Sequence, residues 1–200
     1  MKQLAALTAF LVLSTAAQAT PETYVIDDSQ TVANFSFSYM GIPSNGNKFE
    51  KTTGKVVFDA ATRTGSADVT IDASSIETGN ALFNHQMQSK GFFDSANHPV
   101  ITFKSTRMVL DGEQMSMSGD LTVKGVTRPV TLMVSRFECA QHPVNKIDAC
   151  AAHATLTIKR SEFNMSKFKM LASNEVTLNL SIAAVKAQPV IQLASRDSSR

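Results

Sequence analysis

The side chains able to do chemistry are few and scattered. The chain has four histidines, His85, His98, His142 and His153, and two cysteines, Cys139 and Cys150. A metal site needs ligands at converging spacings, and no HxH, HExxH or Cys/His cluster occurs. No metal site and no cofactor are therefore expected. A serine nucleophile would call for a GxSxG elbow, which is absent. The adjacent carboxylates Asp27-Asp28 sit at a strand end and read as a solvated turn. The glycines form no phosphate-cradling loop. The densest passage is "FNHQMQSKGFFDSANHPVITF", Phe83 to Phe103, with two of the four histidines and four of the twelve phenylalanines. It holds His85 and His98 in company more suited to packing than to proton transfer, so no catalytic residue is assigned.

The elements that position these residues begin after a leader. Residues 1–19 combine Lys2, an apolar stretch from Leu4 to Leu13 and the ending Ala17-Gln18-Ala19, the pattern of a cleaved secretory signal. That apolar stretch is shorter than the ~20 residues needed to span a bilayer. The expected product is a soluble periplasmic protein, residues 20–187 forming one domain and 188–200 a fraying tail. In an oxidising compartment the Cys139 and Cys150 pair is expected to form one disulfide pinning a surface loop. The formal charge is +2 for the whole chain, and losing Lys2 with the leader leaves +1. Neither nucleic acid nor an anionic membrane is suggested by so small a net charge.

Strict alternation of apolar and polar residues marks strands with one dry face. It recurs at Ala33 to Tyr39, Val69 to Ile71, Met115 to Val123, Val130 to Val134, Ala154 to Ile158 and Val176 to Ile182. Shorter apolar runs at Val56 to Phe58 and Val100 to Phe103 bring the count to about eight. Asp111-Gly112 has the composition of a two-residue type I′ hairpin turn. Lys124-Gly125 to Pro129 separates another pair, with Pro129 expected outside the ladder. The predicted fold is all-β and antiparallel, either two packed sheets or one sheet closed on itself. One helix is predicted over Asn80 to Lys90, capped by Thr78 or Asn80 and stopped at Gly91, covering an open end.

Three blocks carry a resemblance: "HQMQSKGFFDSANHPVITFKS", "SGDLTVKGVTRPVTLMV" (Ser118 to Val134) and "IKRSEFNM" (Ile158 to Met165). They resemble the YceI-like proteins, whose hairpin reads GxLTxxGVTxPVxL and whose later motif reads RxDFGM. Here Glu162 replaces the Asp and Asn164 the Gly, and Asn tolerates the left-handed backbone a turn requires there. The similarity runs roughly from Tyr24 to Lys186. It implies an eight-stranded antiparallel lipocalin-like barrel with one short helix over an end, and an apolar tunnel that binds a polyisoprenoid or other long-chain lipid. The Trp of true lipocalins is missing; this chain has none.

On that reading the tunnel lining is expected from Phe35, Phe37 and Tyr39 on one strand, Val69 and Ile71 on the next, and Phe83 and Met87 on the lid helix. Phe92 and Phe93 follow at the rim, then Ile101 and Phe103, Met115, Met117 and Leu121, and Leu132. Leu156, Ile158 and Phe163, with Leu178 and Leu180, complete it. His85 and Lys90 are the head-group candidates. The implied role is a carrier or store for an isoprenoid lipid, without catalysis. The alternatives are a fatty acid or fatty-acid amide as ligand, or an enzyme acting on a lipid head group through His85 or His98. A transient contact with a membrane protein, and a monomer or homodimer, complete the expectations.

Overall fold

Alternation becomes strand almost everywhere it occurs, and the strands join into one continuous sheet. The structure, a computed structural model, describes residues 20–110, 112, 114–141 and 146–188. The segment read as a leader, Asp111 of the first turn, His142 and residues 189–200 lie outside the described residues.

The strands are β1 (Glu22–Ile26), β2 (Val32–Tyr39), β3 (Ile42–Phe49), β4 (Thr52–Asp59), β5 (Thr64–Asp72) and β6 (Ile76–Glu77). After the helix α1 (Ala81–Gln88) come β7 (Val100–Val109), β8 (Met115–Val123), β9 (Val126–Gln141), β10 (Asp148–Lys159) and β11 (Glu175–Lys186). Their order is β1-β4-β5-β7-β8-β9-β10-β11, and β11 pairs back onto β1, which closes the ring. β2 and β3 extend β1 and β4 towards one end, β11 pairing with β2 through Leu178 opposite Phe35. With β1 and β2, β3 and β4, and β5 and β6 each counted as one interrupted strand, the barrel has eight antiparallel staves. The eight-strand expectation and the choice of closed sheet are thus met.

Two interruptions use the same chemistry. A 3₁₀ turn at Asp28–Gln30 divides β1 from β2, and the Asp27 carboxylate accepts from Ser29 N and Ser29 Oγ. Another at Ala73–Ser75 divides β5 from β6, with Asp72 accepting from Ser74 in the same way. Asp28 then accepts from Thr52 N across the barrel wall. The Asp27-Asp28 pair is therefore a capping device, because short carboxylates mimic the turn's own hydrogen bonds.

Three details differ from the sequence reading. Pro129 lies inside β9, opposite Asp120, rather than outside the ladder. Two-residue closure at Val123 and Val126 makes Asp120 and Pro129 a non-hydrogen-bonded pair, so the proline nitrogen faces the other edge. There β10 pairs only from Met133 onward, and no ladder bond is lost. α1 stops at Gln88 with Ser89 as its cap, two residues short of Lys90, and Asn80 supplies the N-cap, accepting from Phe83 N at 3.1 Å. Gly91 does not end the helix by a positive φ; a Cβ there would fall 2.3 Å from Lys167 Cδ, so it permits close packing of two loops. Finally, the disulfide joins Cys139 to Cys150 as directly opposed residues of neighbouring strands β9 and β10, so it ties the wall as well as the loop.

The interior holds two packed groups. One, towards the helix, gathers Phe35, Phe49, Met87, Phe92, Phe103, Leu121, Leu156 and Phe163. The other, towards the disulfide, gathers Tyr24, Phe58, Met108, Leu110, Val134 and Cys150.

Candidate functional site

Between and through these groups runs one apolar cavity. The space open to the centres of water-sized spheres is ≈ 160 Å³, and all atom-free space, including the part open to solvent, is ≈ 1700 Å³. An eight-stranded barrel is about wide enough for one chain-like ligand.

The wall is built by the inward face of nearly every stave. Of the residues expected on it, Phe35, Phe37, Val69, Ile71, Met87, Phe92, Phe93, Ile101, Phe103, Met117, Leu121, Leu132, Leu156, Ile158, Leu178 and Leu180 line the cavity. Tyr39, Phe83, Met115 and Phe163 are off it. Tyr39 lies beyond the last inward position and is 39% exposed, whereas Phe163 is buried under the cap. Phe83 turns towards Phe37, their ring centroids 6.3 Å apart, and Met115 packs against the disulfide-end group.

Several wall residues were not expected. Phe49 ends a polar strand, IPSNGNKF, whose extra residue against β2 is accommodated by a bulge that Asn47 secures, donating to Phe35 O and Ser44 O. Met108 and Leu110 reach the interior because a bulge between Ser105 and Arg107 reverses the parity of β7. A second reversal, where β9 passes His153 and Ala154 of β10, turns Phe137 inward. Bulges do this because one extra residue exchanges the two faces of a strand. Repeating the alternation from each end of such a strand separately, and noting that the two phases disagree, was the available signal.

At the helix end the cover is aromatic. Phe93 meets Phe35 at 5.9 Å and Phe49 at 5.3 Å edge-on, and Met87 is buried beneath α1. The facing loop hangs from Arg160, which is only 6% exposed. Its Nε donates to Ser173 O at 2.8 Å, Nη1 to Met165 O at 2.7 Å and Lys167 O at 2.8 Å, and Nη2 to Ala172 O at 3.1 Å. None of these partners is a carboxylate, and burial pushes the guanidinium pKa down from its ordinary value. Asn164 takes the left-handed conformation (φ 57°, ψ 26°) at the end of this turn, as the substitution for Gly allows.

Two polar residues interrupt the otherwise apolar wall, Arg160 and Thr52. Thr52 is 1% exposed, and its Oγ1 has no hydrogen-bond partner. Such an unmet hydroxyl costs about 1–3 kcal/mol unless something in the cavity meets it. The two head-group candidates fall elsewhere. His85 and Lys90 are exposed on the outer side of the cap and do not line the cavity. Nor does His98, whose ring lies against Gly125. His153 is exposed and pairs its Nδ1 with Ser181 Oγ at 3.0 Å. Among the described residues no three His, Cys, Asp or Glu side chains come together as a metal site. No described helix is long and apolar enough to cross a membrane.

The comparisons with known proteins agree with this architecture. The family description "YceI-like domain" matches residues 24–184. Protein YceI of Escherichia coli O157:H7 is 30% identical over 188 residues, covering 92% of this chain and 98% of that protein. The crystal structure of Burkholderia cenocepacia BcnA superposes with a TM-score of 0.69 at 29% identity, over 79% of this chain and 98% of that one. A polyisoprenoid binding domain from Saccharophagus degradans shares the fold, with a TM-score of 0.58 at 18% identity, covering 82% of this chain and 98% of that domain.

Proposed function

The chain belongs to the YceI-like domain family, and we propose that it holds a long-chain amphiphile, a polyisoprenoid lipid, in the barrel cavity for storage or transport in the periplasm. The observation that carries this reading is the cavity itself, continuous from the helix cap to the disulfide end and apolar but for Thr52 and Arg160. A protein that needed only a core would close such a space, because interiors pack to crystal-like density. Burying the tail contributes roughly 0.8 kcal/mol per methylene-sized unit, so retention needs no ionic contact. Orientation then falls to the two polar wall residues. Thr52 brings to the wall a hydroxyl that has no partner, and Arg160 supplies positive charge at the cap. These replace His85 and Lys90, which stand outside. The Saccharophagus degradans domain gives a precedent on this fold for polyisoprenoid binding.

The reading is tested by extracting the purified protein with organic solvent and identifying the extract by mass spectrometry. A stoichiometric isoprenoid is expected, a fatty acid or its amide would replace the ligand class, and a consistently empty barrel would overturn the reading. Nothing in the geometry favours an enzyme acting on a head group, since His85 and His98 both lie off the cavity wall.

A further inference from the structure

Eleven large apolar side chains are exposed among the described residues, and seven of them sit at the helix end of the barrel: Tyr39, Met40, Ile42, Leu82, Phe168, Met170 and Leu171. Met170 is 98% exposed, Leu82 80%, Ile42 70% and Met40 67%. The remaining four, Val25, Val32, Val100 and Met133, are single strand residues of the kind any surface carries. The seven belong to three segments, two of which touch directly while the third packs on the same hairpin. Met40 N donates to Leu171 O at 2.6 Å, and Tyr39 bridges Ala172, so the β2–β3 turn and the 168–171 loop form one ledge. The contact of Phe83 with Phe37 sets α1, which carries the exposed Leu82, beside β2.

Two of these tips are held in a conformation that works against them. Met40 (φ 53°) and Phe168 (φ 55°) are left-handed, where Gly or Asn would sit without steric cost. Stability alone does not explain a bulky apolar side chain at such an exposed turn. Lysines bracket the tips: Lys167 and Lys169 flank Phe168, both exposed and, among the described residues, without an acidic partner. The three segments, residues 39–42, 81–84 and 167–171, contain no Asp or Glu.

We infer that this ledge docks the cap of the barrel onto an anionic lipid bilayer. Irregular apolar tips with lysines at their base suit a fluid interface, which accepts them without shape matching and adds attraction to negative head groups. A protein partner would ask for a contiguous face of about 800 Å² and close complementarity, which separate tips do not provide. The chain's small net charge conceals this, because the two lysines are local. Docking here sets the Phe92 and Phe93 cap against the membrane, Phe92 being in ring contact with Phe168 at 6.1 Å.

The test is co-sedimentation of the full mature protein, with and without solvent extraction, on phosphatidylcholine vesicles that contain or lack phosphatidylglycerol. Binding is expected only with phosphatidylglycerol and is expected to weaken with salt. Met170→Asp, and separately Lys167→Glu with Lys169→Glu, should each lower it by about tenfold or more. Thermal stability of Met170→Asp should not change, since that side chain is 98% exposed and does not line the cavity. Absence of wild-type binding, or binding indifferent to these substitutions, overturns the inference. So does a change in elution volume without a change in vesicle binding, which would assign the ledge to a second copy of the chain. Docking can fail while the extract still contains an isoprenoid, so this result and the identity of the ligand are independent.

Discussion

At the disulfide end the barrel is tied by bonds that do not depend on a lid. Cys139 and Cys150 join β9 to β10, and Lys186 Nζ on β11 meets Glu22 Oε1 of β1 at 2.5 Å and Asp148 Oδ2 of β10 at 3.3 Å. The hydrogen bond from Lys186 holds the Glu22 carboxyl below its ordinary pKa, while burial raises that of Tyr24 beneath. At the helix end, among the described residues, nothing covalent or ionic spans the opening. The cover is α1, the Phe92 and Phe93 loop and a second loop hung on Arg160, joined by ring contacts and by Lys124 Nζ, which donates to Lys90 O and Asn164 O. One end is cross-linked strand to strand by a disulfide and ion pairs, and the other is a helix and loops held by rings and by hydrogen bonds such as Asn84 Nδ2 to Glu77 Oε2 and Gln88 Nε2 to Ser74 O. On the proposed function, the difference points to the helix end as the way in, because segments with few cross-links open at the lowest free energy.

The sharpest way to break this contrast is Arg160→Met. Four carbonyls lose their donor at once, and a loss of about 3–5 kcal/mol is expected in denaturant titrations. Hydrogen exchange should rise first in residues 164–173 and leave β9 and β10 protected; uniform loss would mean the cap is not a separate unit. Next in size, reducing the disulfide or making Cys139→Ser with Cys150→Ser should cost roughly 2–3 kcal/mol, the usual range for a loop this short. Melting with and without reductant measures it, and lipid retention should persist, since the tail is held by the wall. A faster lipid loss after reduction would place the exit at the wrong end. The smallest change, Thr52→Val, should raise the stability of the solvent-extracted protein by about 1 kcal/mol by removing an unmet hydroxyl. The same substitution should weaken binding of a lipid alcohol relative to the matching hydrocarbon, read by displacement of a fluorescent probe.

The barrel was legible because its staves keep period two over long stretches, as at Met117 to Val123 and Val176 to Ile182, where the wall follows directly from the alternation. It was illegible where the period breaks. β3 is polar and bulged, so neither the strand nor Phe49 at its end stood out. In β7 the two apolar runs, Val100 to Phe103 and Met108 to Leu110, are parts of one inward face shifted by Thr106. The head-group candidates lie off the cavity wall for a different reason. His85 and Lys90 were chosen by residue type, but α1 turns Met87 inward, and a helix cannot present His85 and Met87 on one face at a spacing of two residues. Arg160 was inside the quoted "IKRSEFNM" motif yet carried no polarity pattern of its own, because its partners are main-chain carbonyls that no sequence displays.

β11 is the strand on which closure depends, for it pairs with β10, β1 and β2 alike. It is also the last of the described strands, so the ring cannot shut until every other stave has been made. Pairing β1 with β11 brings Tyr24 opposite Lys186, among the longest-range contacts the chain makes, and such contacts put a fold in the slow, millisecond-to-second class. During that interval the unfinished sheet has open edges and a bare apolar face. The twelve residues of β11 therefore act as a timer as well as a wall, setting how long the newborn chain stays exposed to other strands.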